Sequence, residues 1–149
     1  MPYEVDQSNK IESAGDTALA LSNDKEYTIC IPAREKQAAM AYLTHRRQGS
    51  RKLNFLRLFA VALYYLLQEL PPGERVTIDM EYTSHEHDIR SMLLNLLWRD
   101  DPKFDAENIT FGYVGKKSSA HKKALAVHQR KAKADRTLKA DDLLRQIIG

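Results

Sequence analysis

The stretch Arg75-Val76-Thr77-Ile78-Asp79-Met80-Glu81-Tyr82 decides how the rest of the chain is read. Val76, Ile78, Met80 and Tyr82 alternate with Thr77, Asp79 and Glu81, which is the period of a half-buried strand. On that strand the two carboxylates share one face and the apolar set packs on the other. Neighbours on one strand face stand roughly 7 Å apart, close enough to share a divalent ion or to perturb each other's ionisation. Taken alone, the same residues also suit a strand with a solvated acidic face.

Upstream, residues 53–70 are apolar almost all the way round, with Leu56, Leu58, Phe59, Val61, Ala62, Leu63, Leu66 and Leu67. A helix of that kind belongs in a core. Asn54, Arg57, Gln68 and Glu69 interrupt the run, so it reads as a buried helix and not a membrane span. Pro71-Pro72-Gly73 ends it and leads into the strand. Downstream, a helix begins at Thr83 or Ser84, where Thr83-Ser84-His85-Glu86 has the form of a capping box. Ile89, Met92, Leu93, Leu96 and Leu97 give it one apolar face, and Trp98 at its end reads as core.

The N-terminal third reads as a meander: strands over 2–6, 16–21 and Glu26–Ile31, separated by the polar stretch 7–15 and the turn 22–25. Pro32 closes the third strand, and helical spacing of Ala38, Ala39, Tyr42 and Leu43 marks a helix over 33–48 that stops at Gly49. After Asp100-Asp101-Pro102 come a fifth strand over 109–114, a basic helix around 119–133 and a terminal helix around Ala140–Ile148. The order β-β-β-α-α-β-α-β-α-α predicts an α/β fold. Its mixed five-stranded sheet is a three-strand antiparallel meander followed by alternating helices and strands.

The 149 residues are enough for one domain, 1–149, with its own core. Within it a basic helical segment, 33–52, precedes the core helix, and a basic extension, 116–149, ends the chain. The single cysteine, Cys30, lies in an apolar run and reads as a buried, inert thiol in a reducing compartment. The N-terminus has no basic region followed by an apolar one. A cytoplasmic protein with no membrane partner is the expectation.

Charge is segregated along the chain. Residues 34–57 carry Arg34, Lys36, Arg46, Arg47, Arg51, Lys52 and Arg57 against Glu35 alone. Residues 116–139 carry Lys116, Lys117, Lys122, Lys123, Arg130, Lys131, Lys133, Arg136 and Lys139 against Asp135 alone. These blocks hold +6 and +8, which leaves −11 for the remainder of a chain whose total is +3. Clustered lysine and arginine gain affinity for polyanions by releasing counterions, so nucleic acid, whether RNA, DNA or a hybrid, is the expected partner. Solvated helix faces are the plainer reading of the same blocks.

This order of elements resembles the ribonuclease H-like superfamily, the group that includes retroviral integrases. In that family the first strand ends in Asp-Gly-Ser or a variant, to which Asp6-Gln7-Ser8 is similar. Its fourth strand ends in Asp-Ser-x-Tyr or close kin, and Asp79-Met80-Glu81-Tyr82 matches at both ends. A closing helix with Ala-Asp near basic residues has its counterpart in Ala134-Asp135-Arg136. The resemblance spans about residues 2–136. It implies metal ligation by Asp6 and Asp79, with Glu81 as a further ligand and Asp135 as a further catalytic acid. The family also carries a glutamate in the helix before the fourth strand. Here Asn54, Phe55 and Arg57 stand in that region, and Glu81 or Glu86 would have to substitute.

The chemistry follows from placing two acids on neighbouring strands. Adjacent carboxylates repel unless a cation lies between them, and Mg²⁺ or Mn²⁺ suits oxygen ligands of this kind. The expected activity is divalent-metal-dependent hydrolysis of phosphodiester bonds. A nucleic-acid-binding protein of the same fold without catalysis, or a protein-interaction module, is the alternative. The phosphate contacts expected are Arg46, Arg47, Arg51, Lys52, Lys116, Lys117, Lys122, Lys123, Arg130, Lys131 and Lys133. His121 and His128, seven apart among lysines, read as phosphate or solvent contacts. His85 and His87, two apart, do not share a helix face and make a poor zinc pair. Neither a glycine-rich phosphate loop nor a Gly-x-Ser-x-Gly elbow is present, which leaves P-loop and serine-hydrolase chemistry without support.

Overall fold

The computed structural model describes residues 2–80, 82 and 84–148, the last without its side chain. In chain order the elements are β1 (Tyr3–Ser8), β2 (Thr17–Ser22), β3 (Glu26–Ile31), α1 (Ala33–His45), α2 (Arg51–Leu67), β4 (Val76–Asp79), α3 (Glu86–Asp100), a 3₁₀ turn (Ala106–Asn108), β5 (Ile109–Gly112), α4 (Ser119–His128), β6 (Arg136–Thr137) and α5 (Ala140–Ile148). The strands form one mixed sheet in the order β5-β4-β1-β2-β3-β6. β1, β2 and β3 are antiparallel neighbours, β4 runs parallel to β1, β5 parallel to β4, and β6 parallel to β3.

The two faces of the sheet differ in bulk. Tyr3, Val5, Leu19, Leu21, Ile29, Ile31, Val76 and Ile78 join the leucines and aromatics of α2 in one buried cluster, to which α1, α3 and α5 add Leu43, Leu93, Leu97 and Leu143. Thirteen of the residues of α2 are buried, which is why its sequence is apolar on nearly every side. The opposite face is built of small residues. Ala18 and Ala20 are fully buried there, as are Ala120 and Ala124 of α4, so the helix lies close to the strands. Among the described residues no helix is long and apolar enough to cross a membrane.

Several expected boundaries move, each for a local reason. β1 continues through Gln7 and Ser8, which pair with Leu19 and Ala18 where a loop was expected. The helix expected over 33–48 ends at His45, because Arg47 turns to φ 52° and Gln48 N–H reaches back to Leu43 O. The basic helix ends at His128 and not near Lys133: Arg130 takes φ 61°, and Lys131 N–H closes on Ala126 O. Pro72 and Gly73 form the turn into β4, with Gly73 at φ 79° and Glu74 N–H bonded to Pro71 O.

Among the described residues the sheet has six strands where five were expected. β6 is two polar residues long and offers no alternation to read; it is held by Leu138 N–H donating to Cys30 O at 2.9 Å and by Leu138 itself, fully buried. The capping box does not form in the expected register: His85 is the N-cap of α3, without a side-chain cap bond, and Thr83 lies outside the described residues. Trp98 is 39% exposed and not core, its Nε1–H donating to Phe104 O at 2.8 Å. Cys30 is only half-buried, and burial pushes its thiol up from the ordinary value.

Candidate metal and nucleic-acid site

β1 and β4 set the centre of the site. Their parallel register pairs Tyr3 with Val76, Glu4 with Thr77 and Val5 with Ile78. Asp6 and Asp79 each follow the last pair of that register, and the charge of Asp79 is felt at the Asp6 carboxyl. Val5 and Ile78 point into the α2 core, so Glu4, Asp6, Thr77 and Asp79 take the other face, towards α4. Asp79 reaches the end of its strand, where its Oδ1 accepts Val114 N–H at 3.0 Å. Beside it Met80 N–H donates to Gly112 O, which ties the ends of β4 and β5 together.

Asp6 is 5% exposed and well partnered. Oδ1 accepts Gln7 N–H at 2.8 Å, and Oδ2 lies 2.8 Å from His121 Nδ1. Burial, the largest influence, and the negative charge of Asp79 push the Asp6 carboxyl above its ordinary range. The hydrogen bonds from His121 and Gln7 and the charge of His121 pull it down without cancelling the rise.

His121 reaches Asp6 because α4 begins over acidic residues. Ser118 caps the helix by accepting Ala120 N–H and donates its hydroxyl to Glu4 Oε1 at 2.8 Å. Ser119 donates to Glu26 Oε2 at 2.8 Å, and Lys123 lies 3.6 Å from the same carboxylate. Carboxylates at a helix N-terminus are favoured by the helix dipole, so Glu4 and Glu26 fix the start of α4. Its first turn then brings His121 onto Asp6. From the sequence His121 is expected to contact phosphate or solvent; it meets Asp6 instead, and its place in the first turn after the Ser-Ser cap is the signal that points there.

The structure does not bring Asp135 to this site. Its Oδ2 accepts the N–H and hydroxyl of Thr28 at 2.8 and 3.1 Å, and its own N–H donates to Thr28 Oγ1 at 3.0 Å. Thr28 lies on β3, two strands away from β1, because the chain leaves α4 at His128 and crosses the sheet before reaching Asp135. Glu81 lies outside the described residues. Tyr82, the other end of the Asp-x-x-Tyr match, is a core residue: its ring packs on Phe59 at 4.8 Å between centroids, and its hydroxyl accepts Ile11 N–H at 3.1 Å.

In the helix before β4, Asn54 is 1% exposed, accepts Arg57 Nη1 at 2.8 Å and leaves Nδ2 unpartnered. Gln7, pointing to the α2 side, leaves both amide atoms unpartnered at 7% exposure. Glu86 opens α3, half-buried.

The cations fall into two sets. Arg46, Arg47, Arg51 and Lys52 are exposed at the junction of α1 and α2; Arg46 lies over Tyr42, Arg51 over Phe55, and Lys52 reaches Glu12 at 3.7 Å. Lys116, Lys117, Lys122, Lys123, Arg130, Lys131 and Lys133 are exposed along α4 and its flanking loops. Within that second set Lys123 pairs with Glu26 and Arg130 with Asp16 at 3.2 Å, whereas the remaining lysines have no carboxylate partner among the described residues. Lys36 departs from the basic pattern. It is 4% exposed, its ammonium donating to Ser13 O and Thr17 Oγ1 at 2.8 and 2.9 Å, and burial lowers its pKa.

Two carboxylates side by side suit a hard divalent ion, which binds through one or two carboxylates and keeps several waters. Among the described residues no group of three or more His, Cys, Asp or Glu side chains is arranged to hold a metal, so the remaining ligands of such an ion would be water and phosphate. Comparison with known protein families, with curated proteins and with solved structures returned no match.

Proposed function

We propose that this chain is a divalent-metal-dependent nuclease with a ribonuclease H-like fold. The observation that carries the reading is that Asp6 and Asp79 follow directly on the last paired residues of the parallel strands β1 and β4, near enough for the charge of Asp79 to raise the Asp6 carboxyl. The strand order supports it too, since β1–β3 form the antiparallel meander and β4 and β5 follow parallel to β1.

In this reading Asp6 and Asp79 would hold Mg²⁺ or Mn²⁺, which would supply water activation and charge stabilisation for the leaving oxygen. Val114 N–H orients Asp79, and His121 orients Asp6 from α4. Lys116, Lys117 and Lys122, close in sequence to His121 and without carboxylate partners among the described residues, contact the phosphates of the strand.

One observation favours a second reading, a nucleic-acid-binding protein without catalysis. Both Asp6 oxygens are already partnered, Oδ1 by Gln7 N–H and Oδ2 by His121 Nδ1, so the carboxyl is satisfied without an ion.

The test is incubation with single strands, duplexes, RNA–DNA hybrids and branched substrates, in Mg²⁺ or Mn²⁺ and in chelator. Metal-dependent cleavage lost in Asp6→Asn and Asp79→Asn supports the nuclease. Binding without cleavage on any substrate supports the second reading.

A further inference from the structure

Large apolar side chains are exposed at four described positions, and two of these, Met80 at 45% and Tyr113 at 85%, leave the sheet from the adjoining ends of β4 and β5. Both border the acid pair: Met80 follows Asp79, and Tyr113 precedes Val114, whose N–H holds Asp79. The backbone carrying Tyr113 is fixed on both sides, by Gly112 O accepting Met80 N–H and by the Val114–Asp79 bond. One side of the ring is backed by Gly115. A Cβ added there would stand 3.6 Å from Tyr113 Cε1 and 3.8 Å from Cζ, so the ring lies against the bare glycine and its remaining surface faces solvent.

An aromatic ring carried on tied backbone and left open to solvent has a use beside cations. Lys116 and Lys117, exposed, follow at once, and no Asp or Glu occurs from Asn108 through Ala134. A stacking surface followed directly by phosphate-binding charge is the arrangement that grips single-stranded nucleic acid. The ring takes the face of an unpaired base and the lysines take the backbone. A base within a duplex keeps its faces against its neighbours and has none to offer.

We propose that Tyr113 is a base-stacking residue and that the substrate of this site is a strand with unpaired bases next to the phosphate that Asp6 and Asp79 face. The inference rests on the nucleic-acid reading above and names its substrate class.

The test measures binding in chelator, so that no cleavage intervenes. The probes are a fluorescein-labelled oligodeoxythymidylate, its duplex with oligodeoxyadenylate, and a single strand carrying one 2-aminopurine. Tyr113→Ala is expected to weaken single-strand binding by about 5- to 100-fold, the loss of one base–aromatic stack. Duplex binding should change by less than about twofold, and Tyr113→Phe should bind as wild type. The 2-aminopurine fluorescence should be quenched by wild type and Tyr113→Phe but not by Tyr113→Ala. Thermal melts of the variants should match wild type, since the side chain is so exposed.

If wild type binds single strands and Tyr113→Ala binds them equally well, the stacking role is overturned and the nucleic-acid reading stands. If wild type binds neither strand nor duplex, both fall together. If binding depends on Tyr113 but no substrate is cleaved in Mg²⁺ or Mn²⁺, the stacking role holds and the nuclease falls.

Discussion

The imidazole of His121 bridges from the first turn of α4 to the carboxylate of Asp6 on β1, Nδ1 to Oδ2 at 2.8 Å. This contact works against burial and the charge of Asp79, which raise the Asp6 carboxyl. His121→Ala therefore removes a stabiliser of the charged form, and the Asp6 pKa should rise further. A carboxyl-carbon NMR titration reads it directly; an unchanged Asp6 would mean that the imidazole carries no such weight.

Stability follows from the same shift. With its folded pKa above the ordinary 3.8, Asp6 favours folding fully below that value, and the contribution is lost as pH rises through the folded pKa. Asp6→Asn has no carboxyl to ionise. Its stability relative to wild type should increase across that interval, as read by urea unfolding at a series of pH values.

Leu63 lies fully buried in the middle of α2. Leu63→Ala should cost about 2–5 kcal/mol through lost burial and the cavity left behind. A denaturant midpoint close to that of wild type would contradict the packing of α2 against the sheet.

How much of this was legible follows from what each residue's signal depends on. The alternation of Val76 and Ile78 with Thr77 and Asp79, and the all-round apolarity of α2, are local patterns created by burial, and they located β4 and the core helix; the strand nevertheless stops at Asp79, short of Tyr82, Met80 from its expected apolar set is exposed, and the helix spans Arg51–Leu67 where 53–70 was expected. Register is not local. The order of elements already put Asp6 and Asp79 on neighbouring strands, and β4 does run parallel to β1; the register between them is what the local pattern does not carry. His121 and Asp135 show the limit from opposite sides. Both are polar residues in a basic stretch, and only the exit of the chain at Arg130 decides that one meets β1 and the other β3. Lys36 looked like part of a basic face, and nothing in its neighbours announces that loop carbonyls and Thr17 would bury it.

Asp135 gives a prediction of its own because its partners are on β3. Asp135→Ala should cost about 1 kcal/mol by releasing Thr28, a partly exposed contact, and should leave any response to Mg²⁺ unchanged. A variant whose melting temperature matches wild type in chelator but no longer responds to the ion would restore Asp135 to the site.

The exposed lysines make the binding reading quantitative. Replacing Lys122, Lys123, Arg130 and Lys131 by glutamine should weaken binding on all sequences alike. It should also flatten the logarithmic salt dependence by about 0.7 per lost contact on single strands and about 0.9 on duplex. Lys123 and Arg130 are already paired with Glu26 and Asp16, so Lys122 and Lys131 should account for most of the change. An unaltered slope would remove α4 and the segment after it from the interface.

Asp79 offers the sharpest separation of a metal site from a pair of solvated acids. Without an ion, the charge of Asp79 opposes that of Asp6 and helps raise the Asp6 carboxyl. Asp79→Asn removes one charge yet keeps an oxygen to accept Val114 N–H. In chelator the variant should therefore melt at or above the wild-type temperature. With millimolar Mg²⁺ or Mn²⁺ the order should reverse, because an ion that binds only folded wild type adds stability by mass action, whereas the amide is a weaker ligand. Paired melts of both proteins, with metal and with chelator, give four temperatures and one interaction between them. Wild type that is indifferent to both ions, together with no cleavage of any substrate, would leave His121 as the partner of Asp6 and binding without catalysis as the function.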